Sequence, residues 1–350
     1  MKIIITGSTG FVGKKLMLAL LENGHEIYPL VRSEEKISHF INELSEKEQR
    51  NVHPLIGNIE KPQLGISKEM RSALFGQIDI IYHAAAYLSF KEEDREQTFE
   101  ANVEGTKRVL EFAKELNVKK FFHVSTAYTL GLETFAYEEL HSCSRSFVNY
   151  YEESKCHAEH IVFAERENLD ISIFRPAIIV GDSETGEAET VFALYGLLKA
   201  VGLIKKMADR GRLNGISQVK LLGGMESHTN FVPVNYVVDV LAAAPRYAEK
   251  DRIYHITNSN PPNNGEIFKL IKETSGLNEL ALVPIDYSGE LTKIEQTLNE
   301  PMKVFHSYLS RSIDFDDRHT QAFLEKAGIP PLKLGENEFK RMMEVFFEGK

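Results

Sequence analysis

Two cysteines, Cys143 and Cys156, are all that 350 residues contain. Two thiols build neither a disulfide framework nor a four-ligand zinc centre. No apolar run is long enough to span a bilayer. The opening Met1-Lys2-Ile3-Ile4-Ile5-Thr6-Gly7 is no signal peptide, because its apolar run breaks at once on a threonine and a glycine. Positive charge is in deficit: 41 Lys and Arg stand against 51 Asp and Glu, a formal net charge of −10. A nucleic-acid binder would usually be basic. Internal repeats and low-complexity tracts are missing too. The expectation is a soluble cytoplasmic protein with reduced thiols, no metal, no membrane span and no nucleic-acid partner.

The length suits one large domain with a smaller appendage. The first half alternates short apolar runs with helical patterns. Strands are predicted at Lys2–Thr6, Glu26–Val31, Val52–Ile56, Ile78–His83, Phe121–Ser125 and Ile171–Arg175. Helices are predicted at Val12–Glu22, Glu35–Lys47, about Asp94–Leu116 and about Asn149–Arg166. Such alternation implies right-handed crossovers and a parallel sheet covered on both faces. The rhythm weakens after Gly181. Phe231-Val232-Pro233-Val234 and Ile253–Thr257 look like returns to the sheet, with a helix at Tyr236–Tyr247 between them. The expected fold is α/β: a doubly wound, Rossmann-type sheet domain (1–181 and 231–257) with a smaller, discontinuous C-terminal substrate lobe (182–230 and 258–350).

Three fragments carry the chemistry. The first is the turn Gly7-Ser8-Thr9-Gly10-Phe11-Val12-Gly13, which follows a strand and opens a helix. Glycine permits the tight bend and lets backbone N–H groups approach a pyrophosphate, which the helix N-terminus also favours. The spacing is GxxGxxG rather than GxGxxG. At the end of the second strand an NAD site usually has an acid for the ribose 2′-hydroxyl. Arg32 stands there instead, and a guanidinium pairs with a 2′-phosphate and stacks on adenine. The cofactor predicted is therefore NADP(H), although Glu34 and Glu35 just beyond work against it. Asn58, in Gly57-Asn58-Ile59, either binds the adenine edge or is a turn residue.

The second fragment is Ser125-Thr126-Ala127-Tyr128. A hydroxyl at a strand's C-terminal edge faces the crevice where open parallel sheets bind ligands. Thr126 can hydrogen-bond a substrate oxygen as charge develops on it, or it is a capping residue. The third is Tyr151-Glu152-Glu153-Ser154-Lys155. Tyr151 and Lys155 share a helix face. An ammonium beside the phenol is expected to lower the tyrosine pKa. Tyr151 then moves protons near neutral pH, and Lys155 can also hold the nicotinamide ribose. Asn102 lies in the long helix, where asparagine is a poor helix former. A polar bond in the core would explain it, by positioning Lys155 through water or by satisfying backbone.

In this order Thr6–Gly13, His83-Ala84-Ala85-Ala86, Asn102–Thr106, Ser125-Thr126, Tyr151–Lys155 and Arg175-Pro176 resemble the extended short-chain dehydrogenase/reductase superfamily. The resemblance implies Thr126, Tyr151 and Lys155 as a catalytic triad, with Asn102 as a fourth member. It implies that Ala84, Ala85 and Ala86 line the cofactor and that Pro176 lies near the nicotinamide. Within the superfamily, Leu30-Val31-Arg32, Gly57–Pro62, Val124–Tyr128, Asn149–Lys155, Arg175–Gly186 and Phe231–Val237 are most similar to the thioester-reductase and fatty acyl-CoA reductase (male-sterility) branch. Asn58 and Asn235 depart from it, standing where that branch often has aspartate. No carrier-protein or adenylation region precedes Met1, so a free-standing enzyme is expected.

The activity this implies is NADPH-dependent reduction of an acyl thioester, on coenzyme A or a carrier protein, either to aldehyde or on to alcohol. The alternatives are a ketone or aldehyde reductase of hydroxysteroid or dihydroflavonol type, then a nucleotide-sugar epimerase or dehydratase, then a non-catalytic dinucleotide sensor. The resemblance also leaves room for a homodimer through the sheet domain's long helices. Lys205, Lys206, Arg210, Arg212 and Lys220 form a basic cluster that either meets coenzyme A phosphates or an acidic carrier, or is a solvated face. His141, His157 and His160 lack metal spacing and are read as structural. Met342, Met343, Val345, Phe346 and Phe347 are read as a core-facing helix.

Overall fold

The computed structural model describes residues 1–190, 194–211 and 218–349. The chain opens with β1 (Lys2–Thr6), α1 (Phe11–Glu22), β2 (Glu26–Val31), α2 (Glu35–Glu43), α3 (Glu46–Gln49) and β3 (Leu55–Ile56). It continues through α4 (Lys68–Leu74), β4 (Ile80–His83), α5 (Arg95–Phe99), α6 (Gly105–Glu115), β5 (Lys120–Val124), β6 (Phe135–Ala136), α7 (Tyr150–Ala164) and β7 (Asp170–Pro176). Then come β8 (Ile178–Val180), α8 (Leu194–Asp209), β9 (Val219–Leu222), β10 (Phe231–Pro233), α9 (Val234–Tyr247), β11 (Arg252–Ile256), α10 (Asn264–Ser275) and β12 (Leu280–Val283). Among the described residues no helix is long and apolar enough to cross a membrane.

Contacts divide the chain into two compact units. The first comprises Met1–Ala177, Tyr236–Thr257 and Phe315–Pro331. Its seven strands run β11-β7-β5-β4-β1-β2-β3, all parallel. The order grows outward in both directions from β1 and β4, which is the doubly wound Rossmann arrangement. Ile3, Ile4 and Ile5 of β1 are at most 1% exposed, as a central strand covered on both faces requires. The winding reverses between β1 and β4. Their C-terminal ends, at Thr6 and His83, therefore open the crevice where such sheets bind ligands.

Four local departures from the sequence reading have physical causes. The helix expected over Glu35–Lys47 stops at Glu43, because Ser45 and Glu48 form a reciprocal capping box that starts α3. The helix expected from Asp94 is interrupted by a π turn at Glu100–Glu104. Phe231–Pro233 does not return to the seven-stranded sheet. β11 ends at Ile256, whose carbonyl accepts from Ala177 N, and from Ile178 onward the chain pairs with β10 instead. Phe315–Pro331 groups with the first unit, although the sequence reading placed everything after Thr257 in the lobe.

The second unit comprises Ile178–Asn235, Asn258–Asp314 and Leu332–Lys350. It holds two small parallel pairs, β8 with β10 and β9 with β12. Its core gathers Leu194, Leu198, Leu221, Phe231, Ile271 and Phe339. Met342 and Met343 are fully buried there, with Phe346 and Phe347 packed alongside, so the last helix does face the core.

Candidate active site

The glycine turn is built by steric need. Gly7 has φ +74, and a side chain on it would lie 2.7 Å from the backbone of Ala84 and Ala85. A side chain on Gly13 would lie 2.1 Å from the carbonyl oxygen of Gly7. These two contacts press the turn against the start of α1 and against the segment after β4. Thr9 and Gly10 stay exposed. The first turn of α1 has no side-chain cap on Gly10 and no acidic residue. Its leading N–H groups and positive dipole end are thus open to an anion. Ser8 is buried, with its hydroxyl unpartnered among the described residues. The donor set fits a dinucleotide pyrophosphate. Arg32, at the end of β2, is exposed and makes no hydrogen bond or ion pair among the described residues, so its guanidinium is free to take a phosphate. Asn58 spends its side-chain oxygen on Glu60 N at 3.0 Å, the turn-residue geometry, and keeps only its amide N–H groups for a ligand. Ile59 packs against Gly105 of α6.

At the far side of the crevice, Asn149 caps α7 by accepting from Glu152 N at 2.9 Å. The helix then carries Tyr151 and Lys155 on one face. Lys155 is 2% exposed. Its ammonium donates to Val124 O at 2.8 Å and faces His123 Nε2 at 3.3 Å. His123 is held neutral, well below its usual pKa, by burial and then by the Lys155 charge. Its Nε2 therefore accepts from the ammonium. Burial pulls Lys155 itself down to about 8, opposed by the Glu159 carboxylate.

The tyrosine departs from expectation. Burial, followed by the Glu152 charge, pushes Tyr151 up to about 12. The Lys155 ammonium is committed to Val124 and His123 and does not lower it. At neutral pH the phenol keeps its proton. Phe90 packs edge-on against its ring. Tyr150 turns away and lies under the Arg95 guanidinium. Thr126, 8% exposed, follows β5 and accepts from Tyr128 N at 3.3 Å through its hydroxyl oxygen. Its own hydroxyl hydrogen remains available to an incoming oxygen. The neighbouring Ser125 hydroxyl is buried without a partner among the described residues. Pro176 is buried at the end of β7.

Asn102 sits inside the π turn and is 1% exposed. Its Oδ1 accepts from Tyr87 N at 2.7 Å, and its Nδ2 donates to Tyr87 O at 3.0 Å and to Ser154 Oγ at 2.9 Å. It clamps the segment after β4 to α7, one residue before Lys155, without touching the lysine. Sequence reasoning missed the chain of hydrogen bonds behind it. Thr106 Oγ1 donates to Asn102 O at 2.6 Å, so His83 Nε2–H must donate to Thr106 Oγ1 at 2.9 Å. His83 Nδ1 then accepts from Thr6 Oγ1 at 2.8 Å, and that oxygen accepts from Ala85 N at 3.1 Å. Every proton in the series is assigned by this accounting. It requires a neutral imidazole, and burial supplies one by lowering His83 to about 3. Arg175, which the sequence offered only as part of the Arg175-Pro176 motif, grips both carboxylate oxygens of Glu159 at 2.6 and 2.9 Å with both side chains fully buried. That pair ties α7 to β7.

Other sequence-level candidates have more ordinary surroundings. Lys220 pairs with Glu295, and Lys205 lies over the Phe347 ring. Arg212 lies outside the described residues. The fold does bring together Cys143, Cys156 and His160, with ligand atoms within 4.8 Å of one another and the two sulfurs 3.7 Å apart. Burial pushes both thiols above their usual pKa, and His160 Nε2 lies 2.7 Å from the carbonyl of His141, to which it donates.

Comparisons with known proteins show the family. A family model described as Male sterility protein matches residues 5–241. Fatty acyl-CoA reductase wat of Drosophila melanogaster is 27% identical over 289 residues, which are 69% of this chain and 53% of that protein. A linear gramicidin synthase of Brevibacillus parabrevis is 33% identical over 203 residues, 53% of this chain and 4% of that protein. The chain thus spans about half the length of the first relative and a small part of the second. The crystal structure of the terminal R domain from the myxalamid PKS-NRPS biosynthetic pathway superposes with a TM-score of 0.82 at 23% identity, covering 99% of this chain and 90% of that one. That likeness is one of fold.

Proposed function

Because the chain belongs to the Male sterility protein family, we propose that it is an NADPH-dependent reductase of acyl thioesters, releasing an aldehyde. One observation carries the reading: α7 presents a phenol that keeps its proton at neutral pH and, one turn on, a buried lysine that keeps its charge. Reduction of a carbonyl consumes a proton, and this phenol holds one to give.

The first unit binds the dinucleotide. The open N–H groups at the start of α1 take the pyrophosphate, and Arg32 takes the 2′-phosphate, which an acid at that position would repel. Lys155 has one N–H left after Val124 O and His123 Nε2, and it holds the nicotinamide ribose. When bound, the reduced nicotinamide supplies a hydride to the acyl carbon. Thr126 donates its hydroxyl hydrogen to the thioester oxygen and stabilises the charge that develops there. Tyr151 gives its proton to the same oxygen, while the Lys155 ammonium, held by Val124 O and His123 Nε2, keeps a positive charge beside the cofactor ribose. The hemithioacetal then breaks its carbon–sulfur bond, giving aldehyde and free thiol. A second round carries aldehyde to alcohol. Asn102 positions α7 for these steps by holding Ser154.

The test follows NADPH absorbance with purified protein on acyl-coenzyme A esters, the matching aldehydes and a set of cyclic ketones. Thioester turnover that disappears in Tyr151→Phe, by a factor of about 10²–10⁴, while dinucleotide binding survives, is the expected result. Turnover on aldehydes or ketones alone would refute the thioester reading.

A further inference from the structure

Cys143, Cys156 and His160 take no part in the proposed reaction, yet the first unit brings them together. Cys156 and His160 are one turn apart on α7 and share a face. Cys156 follows Lys155 but points about 100° round the helix from it. Cys143 stands 13 residues before Cys156, in the segment that leads into α7, and the two sulfurs are 3.7 Å apart. Both sulfurs and one ring nitrogen of His160 fall within 4.8 Å of one another. These separations are close to those of a tetrahedral metal site. Two Zn–S bonds of about 2.3 Å hold their sulfurs about 3.8 Å apart at the tetrahedral angle. A Zn–N bond of about 2.0 Å puts its nitrogen about 3.5 Å from each sulfur. The sulfurs already have this spacing, and the imidazole has to advance by no more than about 1.3 Å. A disulfide would need the sulfurs to close to about 2.0 Å instead.

We propose that Cys143, Cys156 and His160 bind one zinc ion, with water in the fourth position, and so clasp the segment before α7 to that helix. Binding breaks two S–H bonds, forms two Zn–S bonds and one Zn–N bond, releases both protons to solvent and moves no electrons. The hydrogen bonds already present suit it. His160 Nε2 donates to His141 O at 2.7 Å, which leaves the ring's lone pair on Nδ1. Histidines that hold metals commonly anchor their other N–H on a carbonyl in this way. The Cys156 thiol gives up only a weak bond, to the same carbonyl at 3.4 Å. Burial first, then Glu159 and Glu153, keep the Cys143 thiol protonated, and burial and Glu159 do the same for Cys156 against Arg175. Peroxides attack the thiolate, so these surroundings guard the pair from oxidation. A metal ion displaces the thiol protons itself. Glu159 is matched by Arg175, and Glu153 leaves a negative charge nearby that favours a cation. Cys143 and His160 are half-buried, so the site is open to solvent. None of this depends on the reaction proposed above.

The test titrates the full chain, kept reduced with a phosphine, with Co²⁺ and then Zn²⁺. One equivalent of cobalt should produce a thiolate-to-metal charge-transfer band and the visible bands of a tetrahedral ion. Zinc, the tighter binder, should abolish both. In weak buffer zinc should release two protons per chain, and it should shield both thiols from alkylation. Cys143→Ser and His160→Gln change half-buried positions and should melt like wild type without metal. Each should weaken zinc by at least about tenfold. Zinc should raise the Tm of wild type and leave that of Cys143→Ser unchanged. Absence of the charge-transfer band, or full alkylation of both thiols with zinc present, would overturn the proposal. So would zinc binding of equal strength in wild type and both variants, which would put the ion elsewhere. Thiols missing from the isolated protein and recovered by reductant, with no metal uptake, would assign the pair to a disulfide and overturn it too.

Discussion

Raising the pH through 8 should switch this site off through Lys155, not through Tyr151. The lysine is 2% exposed, and burial brings it down to about 8. Its cation is about ten-elevenths populated at pH 7 and about one-eleventh at pH 9, so a rate that needs the cation falls about tenfold between them. Tyr151, at about 12, keeps its proton throughout that window. His83, at about 3, is neutral throughout that window, and burial and the Lys155 charge hold His123 well below its usual value, so neither is expected to add a limb there. The assay is kcat/KM for NADPH-dependent reduction from pH 6 to 10. One ionisation near 8 is expected. A profile flat to pH 10, or one that breaks only where phenols ionise, would refute the reasoning. Stability gives a second reading of the same shift. Moving a lysine from its usual 10.5 to about 8 penalises the charged form by about 3 kcal/mol. The folded value lies below the unfolded one, so the penalty is fully present below pH 8 and fades as pH rises from 8 towards 10.5. Lys155→Met removes it. The stability of Lys155→Met relative to wild type should therefore be about 1 kcal/mol more favourable at pH 7 than at pH 9, by urea midpoints. An equal difference at both values would show that the lysine does not titrate near 8.

Arg32→Ala should weaken NADPH about ten- to a hundredfold, the value of a charge-assisted bond, and leave NADH affinity unchanged in a fluorescence titration. Equal weakening of both would remove the 2′-phosphate assignment. Gly13→Ala places a methyl 2.1 Å from Gly7 O, so the turn must shift. A loss of about 1–3 kcal/mol in stability is expected, together with weaker dinucleotide binding in the same titration. Asn102→Ala strands Tyr87 N and O and releases Ser154. Tyr87 is half-buried, so each stranded group falls towards the lower end of about 1–3 kcal/mol, and a loss of about 2 kcal/mol is expected in urea unfolding. A loss below about 0.5 kcal/mol would mean that water or another group takes over the clamp.

Much of the sheet was legible because its signal is local. Runs such as Ile3-Ile4-Ile5 have one reading when turns and helices punctuate them, and glycines at a strand-to-helix turn have few uses. The placement of Phe231–Pro233 was not legible. Whether that segment rejoins the large sheet depends on where β11 runs out, at Ile256, and no pattern within Phe231–Pro233 records it. The π turn was hidden for a similar reason. Asn102 in a helical stretch signalled that something non-local justified it, but its partners are the backbone of Tyr87 and the hydroxyl of Ser154, 15 and 52 residues away.

The acid–base pair shows why residue types alone predict chemistry better than they predict protonation. A tyrosine and a lysine one turn apart suggest that the cation acidifies the phenol, and the spacing is indeed helical. What the spacing omits is the competition for the ammonium. Val124 O and His123 Nε2 lie on β5, and they claim the charge before the phenol can. Both groups then move the other way, the phenol up and the lysine down, because burial dominates each. The consequence is directional. On the mechanism proposed above, a site with a retained phenolic proton and a cation close to its own pKa gives a proton to a developing oxyanion, and the predicted loss of that ability follows the lysine as pH rises past about 8. An oxidising enzyme would need the opposite resting state, a phenol already deprotonated at working pH. The same helix and the same two residue types would serve either task. It is the carbonyl at the end of β5, and the neutral histidine beside it, that take the ammonium and leave the phenol its proton.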